Sequence, residues 1–212
     1  MKHLLLSSSI LFFLLTACNI KTATRGTPLF NGKTFSGWEG DTLSTWRIKN
    51  ETIIGGSLDK TVPHNDFLCT NRSYSNFILR LKIKLNGHEG FINSGIQFRS
   101  KRLLDPPFEM TGYQADWGDN YWASLYDESR RNKTLMAADS VEVLDWININ
   151  DWNDYEIRAE DRRIRLYING HKTVDYTEND MGIPQEGLIG LQIHGGGKAL
   201  VAFKDIFIEE LE

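Results

Sequence analysis

The chain has 212 residues and a net charge of −4, which excludes the basic footprint that nucleic-acid binding requires. Its two cysteines and five histidines fall in no zinc spacing. No glycine-rich loop has the form that cradles phosphate, and no heptad pattern runs through the chain.

Lys2 and His3 precede an apolar run from Leu4 to Leu15, broken by Ser7, Ser8 and Ser9. Small residues before a cut mark a signal peptide, and this run is too short for a comfortable membrane span. Leu15-Thr16-Ala17-Cys18 resembles a bacterial lipobox, which implies cleavage before Cys18 and lipidation of that residue. The expected organisation is a lipoprotein signal peptide over 1–17, a lipidated tether over 18–26 and one folded domain over 27–212. The expected location is the bacterial cell envelope, anchored to the bilayer through Cys18 and facing the periplasm or the surface. Acylation of Cys18 leaves Cys69 without an intrachain partner. In the apolar stretch Phe67-Leu68-Cys69 it reads as a buried structural thiol.

The domain reads as strands. Short ones are predicted at Trp46–Ile48, Thr52–Gly55 and Asp66–Thr70. Phe77, Leu79, Leu81, Ile83 and Leu85 then alternate with Ile78, Arg80, Lys82 and Lys84, the period of a strand with one buried face. Ser94–Arg99, Tyr113–Asp116 and Asp154–Ala159 follow. Ile164, Leu166 and Ile168 form one arm of a hairpin that Asn169-Gly170 turns and His171–Tyr176 completes. Leu188–His194 and Leu200–Ile208 close the chain, and no long helical period appears. Many short strands with Gly and Asn turns imply two antiparallel sheets packed as an all-β sandwich.

Met110 to Asn132 stands apart. It gathers Tyr, Trp, Asp, Glu, Gln and Arg with few aliphatics, whereas a structural strand carries Val, Ile and Leu on its buried face. Aromatic rings beside carboxylates, amides and guanidinium groups suit a sugar site, in which rings cover C–H faces and polar groups bond hydroxyls. Three strands also share a polar face. If they are neighbours, Gln97, Arg99, Gln114, Asp116, Gln192 and His194 form one patch. A solvated sheet face is the plain alternative, but such faces carry residues like those of the Arg80/Lys82/Lys84 strand.

Several of these stretches resemble one family. Pro28-Leu29-Phe30-Asn31-Gly32-Lys33 with Ser36-Gly37-Trp38 is similar to the opening signature of the DUF1080, or 3-keto-disaccharide hydrolase, family. Asn65-Asp66-Phe67-Leu68, Tyr74-Ser75-Asn76-Phe77, Asn93-Ser94-Gly95-Ile96-Gln97-Phe98-Arg99, Trp152-Asn153-Asp154-Tyr155-Glu156, Leu166-Tyr167-Ile168-Asn169-Gly170 and Gly190-Leu191-Gln192-Ile193-His194-Gly195 follow in the family's order. The resemblance implies a concanavalin A-like jelly roll that cleaves or hydrates 3-keto-glucosides. Many members read G-Y-E-x-Q-I where this chain has Gly112-Tyr113-Gln114-Ala115-Asp116-Trp117. Carboxylate and amide have exchanged places, so no base or metal ligand of those members is carried onto Gln114.

A ketone at C3 acidifies the C2 proton. Removing it allows β-elimination at C1, and water addition to the enone completes a net hydrolysis. The chemistry needs a base, an acid at the leaving group and a cation near the carbonyl oxygen. His194, Asp116 and Glu128 are the acid/base candidates, and Arg99 is the candidate partner of the ketone. Gln97, Gln114, Gln192, Tyr113, Trp117, Trp122, Tyr126, Arg130 and Arg131 are candidate substrate contacts, with Tyr121 a further platform. Asp116, Glu128 and His194 have the donor types of a divalent-metal site, although no spacing demands a cofactor. The competing expectation is a non-catalytic carbohydrate-binding lipoprotein on the same fold, in which these groups spread along a shallow groove. A jelly-roll glucanase is disfavoured, because the E-x-D-x-E strand is absent.

Overall fold

Residues 26–212 are described by the computed structural model; the expected leader, the expected lipid anchor at Cys18 and most of the expected tether fall outside them. In chain order the strands are β1 (Thr27–Pro28), β2 (Trp38–Glu39), β3 (Trp46–Lys49), β4 (Thr52–Gly56), β5 (Asp66–Thr70), β6 (Phe77–Gly90), β7 (Asn93–Arg102), β8 (Met110–Gly118), β9 (Leu125–Glu128) and β10 (Lys133–Met136). A short helix α1 (Glu142–Trp146) precedes β11 (Asn153–Glu160), β12 (Arg163–Ile168), β13 (His171–Thr177), β14 (Leu188–Ile193) and β15 (Gly197–Glu210).

The strands make two antiparallel sheets. The first runs β13-β12-β11-β6-β15-β4-β3, with β1 added on β15. The second runs β10-β9-β8-β7-β14-β5-β2. Consecutive strands therefore often lie in different sheets, as in the expected jelly roll. Alternation fixes which side chains meet between the sheets. On β6, Leu79, Leu81 and Ile83 turn inward and are buried, while Arg80 and Lys82 turn outward to Glu156 and Asp154, both at 2.6 Å. Ile96 and Phe98 of β7 and Leu191 and Ile193 of β14 face them across the core. Asn169 (φ 48°) and Gly170 (φ 86°) form the β12–β13 turn, the left-handed pair that matches strand twist.

The 110–132 segment holds two strands, β8 and β9, joined by a turn, and the expected Tyr113–Asp116 strand is the middle of β8. β8 is an inner strand, and its aromatics fill the core in place of aliphatics. Tyr113 stacks on Phe98 with ring centres 5.7 Å apart, and Trp117 meets the edges of Trp122 and Tyr155 at 4.8 and 6.0 Å. Tyr113 and Trp117 are therefore core residues. Cys69 is buried as expected, and burial pushes its thiol up to about 12.

One distortion shapes the outer face of the second sheet. The β7–β8 pairing slips between Phe98 and Lys101, where Arg99 has φ 48° and Gly112 opposite has φ 144°. A Cβ on Gly112 would stand 2.2 Å from Ser100 Oγ, so only glycine fits there. Beyond this bulge the hairpin tip, residues 101–111, folds back over its own sheet. Arg102 donates to the Glu39 and Phe67 carbonyls at 3.0 and 2.9 Å. Met110 Sδ lies 3.3 Å from Cys69 Sγ, Phe108 stacks on His64 at 4.3 Å, and Asn65 donates to Glu109 at 2.8 Å. The tip is thus a roof over β14 and β5, and it explains why polar side chains on an outer face are buried.

Candidate active site

Strand register places the outward side chains in rows. Gln97 lies opposite Gln114 and beside Gly190, and Gly95 lies between Asp116 and Gln192. Gln97, Gln114, Asp116, Gln192 and His194 therefore share one face, as the period-two pattern predicts. Arg99 does not. The bulge swings its guanidinium to the carbonyls of Ser75 (2.8 Å) and Asp161 (2.7 Å) and to the side-chain oxygens of Gln185 (2.6 Å) and Asn76 (3.0 Å). It staples loops and does not approach a ketone site. Burial lowers it to about 10.

The amides on this face form a relay. Ser100 Oγ donates to Gln97 Oε1 at 2.7 Å, Gln97 Nε2 to Gln114 Oε1 at 2.8 Å, and Gln114 Nε2 to Asp116 Oδ1 at 2.8 Å. The bonds fix each amide's orientation and hold one carboxylate oxygen of Asp116. Gly95 makes this possible, since a Cβ there would stand 2.9 Å from Gln114 Cγ and Cδ. Gln97 and Gln114 thus position Asp116, and Gln97 is itself wholly buried.

Beside the relay, at the open edge of the roof, lies a recess of about 150 Å³ lined by Phe91, Asn93, Gln114, Asp116, Tyr121, Tyr126, Glu128 and His194. The recess opens to solvent, so a single sugar ring can set its reacting edge against these side chains. Burial pushes Asp116 up to about 7; the Gln114 bond opposes this rise and the Glu128 charge adds to it. Burial also pushes Glu128 up to about 7, reinforced by the charge of Glu109 in the roof. Burial first, then the Glu128 and Asp116 charges, raise Tyr126. His194 Nδ1 lies 2.7 Å from the Gly195 carbonyl, which can only accept, so Nδ1 carries a proton and Nε2 is left to the recess. Phe91 packs its edge against His194 at 4.6 Å and approaches Tyr121 at 6.2 Å.

Asp116, Glu128, His194, Gln114 and Tyr126 come together as expected. Arg130 and Arg131 do not join them. Asp127 alternates with Glu128 and points into the sandwich, and the arginines follow it there; Arg130 lies 2.7 Å from Asp127, and Arg131 bonds Asp127 and, at 2.6 Å, Glu178. Trp122 lies outside the recess against Trp117. Gln192 lies under the roof, wholly buried, and neither of its amide atoms has a hydrogen-bond partner among the described residues. Phe91 and Asn93 were missed. Asn93 was legible, being two residues before Gly95 and four before Gln97 on the same face. Phe91 sits beyond β7, where no periodicity extends. Among the described residues no cluster of three or more His, Cys, Asp or Glu has metal-holding geometry, Asp116, Glu128 and His194 included.

A larger groove of about 400 Å³ lies on the outer face of the first sheet. Its Arg80, Lys82, Asp154, Glu156 and Arg158 pair with one another at 2.6 Å. Those charges neutralise one another in pairs, whereas Asp116 and Glu128 face the smaller recess together, so chemistry favours the recess.

The model of the 3-keto-alpha-glucoside-1,2-lyase-like domain matches residues 25–209. No curated protein matches the chain in sequence. Among solved structures, a candidate glycosyl hydrolase from Parabacteroides distasonis is similar at 20% identity with a TM-score of 0.63, over 87% of this chain and 93% of that one. The carbohydrate-binding module CBM66 from Bacillus subtilis is similar at 19% identity and a TM-score of 0.62, over 82% and 96% of the two chains. The Bacillus licheniformis β-glucanase has 10% identity and a TM-score of 0.56, over 90% and 100%. These likenesses establish the jelly-roll fold.

Proposed function

The chain belongs to the 3-keto-alpha-glucoside-1,2-lyase-like family, and from that premise we propose that it is a carbohydrate enzyme cleaving 3-keto-glucosides by elimination across C1–C2, followed by hydration. The carrying observation is a pair of carboxyls lining one recess, buried Asp116 and half-buried Glu128, both raised to about 7. Groups poised near neutrality exchange protons efficiently at working pH.

Asp116, oriented by Gln114, takes the C2 proton. The C–H electron pair passes into the C2–C3 bond and makes the C3 oxygen an enolate. As the ketone re-forms, the C1–C2 double bond appears and the C1–O bond breaks. The leaving oxygen keeps that bonding pair and takes a proton from Glu128. Water then adds at C1 as its proton passes to His194 Nε2; the C1–C2 electron pair returns as an enolate that retakes at C2 the proton held by Asp116, and His194 hands its proton back to Glu128, which completes a net hydrolysis. Among the described residues no arginine or lysine lines the recess, so the enolate is met by the Asn93 amide and by tyrosine hydroxyls.

The deciding experiment incubates the protein with a 3-keto-glucoside and with its unoxidised parent, following enone absorbance and released aglycone. Turnover of the keto form alone is expected. Binding of both without turnover of either would replace the enzyme with a carbohydrate-binding module. We further propose that Cys18 anchors the protein to the envelope bilayer. A Cys18→Ser variant should then leave the membrane fraction; persistence there after a mild salt wash would refute the anchor.

A further inference from the structure

The recess accounts for a sugar ring and leaves the rest of the substrate unplaced. Beside it lies a second groove of about 290 Å³, lined among others by Asp119, Tyr121, Trp122, Ala138, Val141 and Leu144. The two share Tyr121, which lines both. They are also joined through the backbone. Asp116 N donates to the Ser124 carbonyl at 2.9 Å and Ala123 N donates to the Asp116 carbonyl at 3.1 Å, and Ser124 lines the second groove. The groove thus begins about one strand spacing, roughly 4.8 Å, from the backbone of the proposed base.

Its walls have a different chemistry. Val141 and Leu144, which line the groove, are 73% and 47% exposed. Two large apolar side chains held in water on one wall of a groove are not what folding stability selects. Such a wall marks a surface that something apolar covers. Val143, which alternates with them, is buried and fastens the segment to the core.

We propose that this groove is the aglycone subsite, and that the leaving group it takes is a flat apolar one, such as a phenolic ring. The inference rests on the sugar-cleaving reading of the neighbouring recess. With the glucosyl ring beside Asp116 and Glu128, the C1 substituent passes Tyr121 and lies on Trp122, Val141 and Leu144. A phenol also suits the elimination, because a phenolate departs more readily than an alkoxide and takes its proton from Glu128 as it leaves.

Two measurements test this separately from the chemistry. Titration calorimetry with unoxidised phenyl glucoside and methyl glucoside, in both anomers, reads binding alone. The phenyl compound should bind roughly tenfold more tightly. A Val141→Ser/Leu144→Ser double variant, whose changes lie at exposed positions, should abolish that preference and leave methyl glucoside affinity unchanged. With phenyl and methyl 3-keto-glucosides the same variant should raise KM about tenfold for the phenyl substrate only. Equal affinity for the two glucosides in the unmodified protein, or an unchanged preference in the variant, overturns the subsite. So does binding of the patch to phosphatidylglycerol vesicles with no aryl preference, which makes it a membrane contact. A phenyl preference without turnover of either keto sugar keeps the subsite and removes the enzymatic reading.

Discussion

Asp127 and Glu128 are adjacent on β9 and meet opposite fates. Glu128 faces the recess, which no described arginine or lysine lines, and burial raises it to about 7. Asp127 faces the interior, where Arg130 and Arg131 hold it, and Arg131 also grips Glu178. Burial acts on Glu178 too, but the Arg131 bond and the Tyr113 hydroxyl at 2.7 Å overcome it and lower it to about 2. One strand thus serves two carboxyl clusters of opposite character. The interior cluster ties β9 to the loop after β13 and joins the two sheets. The outward cluster gains and loses protons near neutral pH, which is a cost to stability and an asset to proton transfer.

The largest expected effect separates the clusters by activity. Asp116→Asn and Glu128→Gln should each reduce turnover of a 3-keto-glucoside by about 10²–10⁴-fold while circular dichroism stays unchanged. Arg131→Ala should do the reverse, costing about 3–5 kcal/mol in urea unfolding because it strands buried Asp127 and Glu178 charges. Its turnover per folded molecule should stay within a few fold. If Arg131→Ala abolished turnover in the folded fraction, the interior cluster would belong to the catalytic site after all.

Gly95→Ala probes the link between the relay and the recess. The new methyl would displace the Gln114 side chain, costing about 2–3 kcal/mol by overpacking. It should also loosen Asp116 and lower kcat about tenfold with little change in KM. Unchanged kcat would show that the Gln114 bond does not position Asp116.

The sheets were legible because alternation is strong where one face is aliphatic, as on β6 and β12. β8 misled because its buried residues are Tyr113, Ala115 and Trp117, so a core strand had the composition of a binding segment. The shared face of Gln114, Asp116, Gln192 and His194 followed from period two alone. Arg99 escaped because a bulge reverses the face of every residue after it, and nothing in Phe98-Arg99-Ser100 announces one. The arginines of Tyr126-Asp127-Glu128-Ser129-Arg130-Arg131 were assigned to the recess because sequence proximity to Glu128 hid their attachment to Asp127. The roof was beyond reach, since the contacts of Arg102, Phe108 and Glu109 with β2, β5 and the residues before β5 join distant parts of the chain.

The smallest effect is the most discriminating, because the two clusters should respond to pH with opposite sign. Asp116 has an ordinary value of 3.8 and a folded value of about 7. The folded protein therefore holds that proton more tightly than the unfolded chain, and stability falls as pH rises from about 4 to 7. Asp116→Asn removes this dependence. It should match the unmodified protein near pH 4 and exceed its stability at pH 8 by about 1–2 kcal/mol, a discounted share of the shift. Glu178 runs the other way, from an ordinary value of 4.5 to about 2 when folded. Its contribution is present above pH 4.5 and is lost as pH falls toward 2, so Glu178→Gln should be less stable at pH 7 and converge with the unmodified protein in acid. Urea midpoints across pH 3–8 for the three proteins read both slopes. An Asp116→Asn protein less stable at pH 8 would make Asp116 a paired structural acid like Glu178, and would remove the proton-transfer pair from the recess.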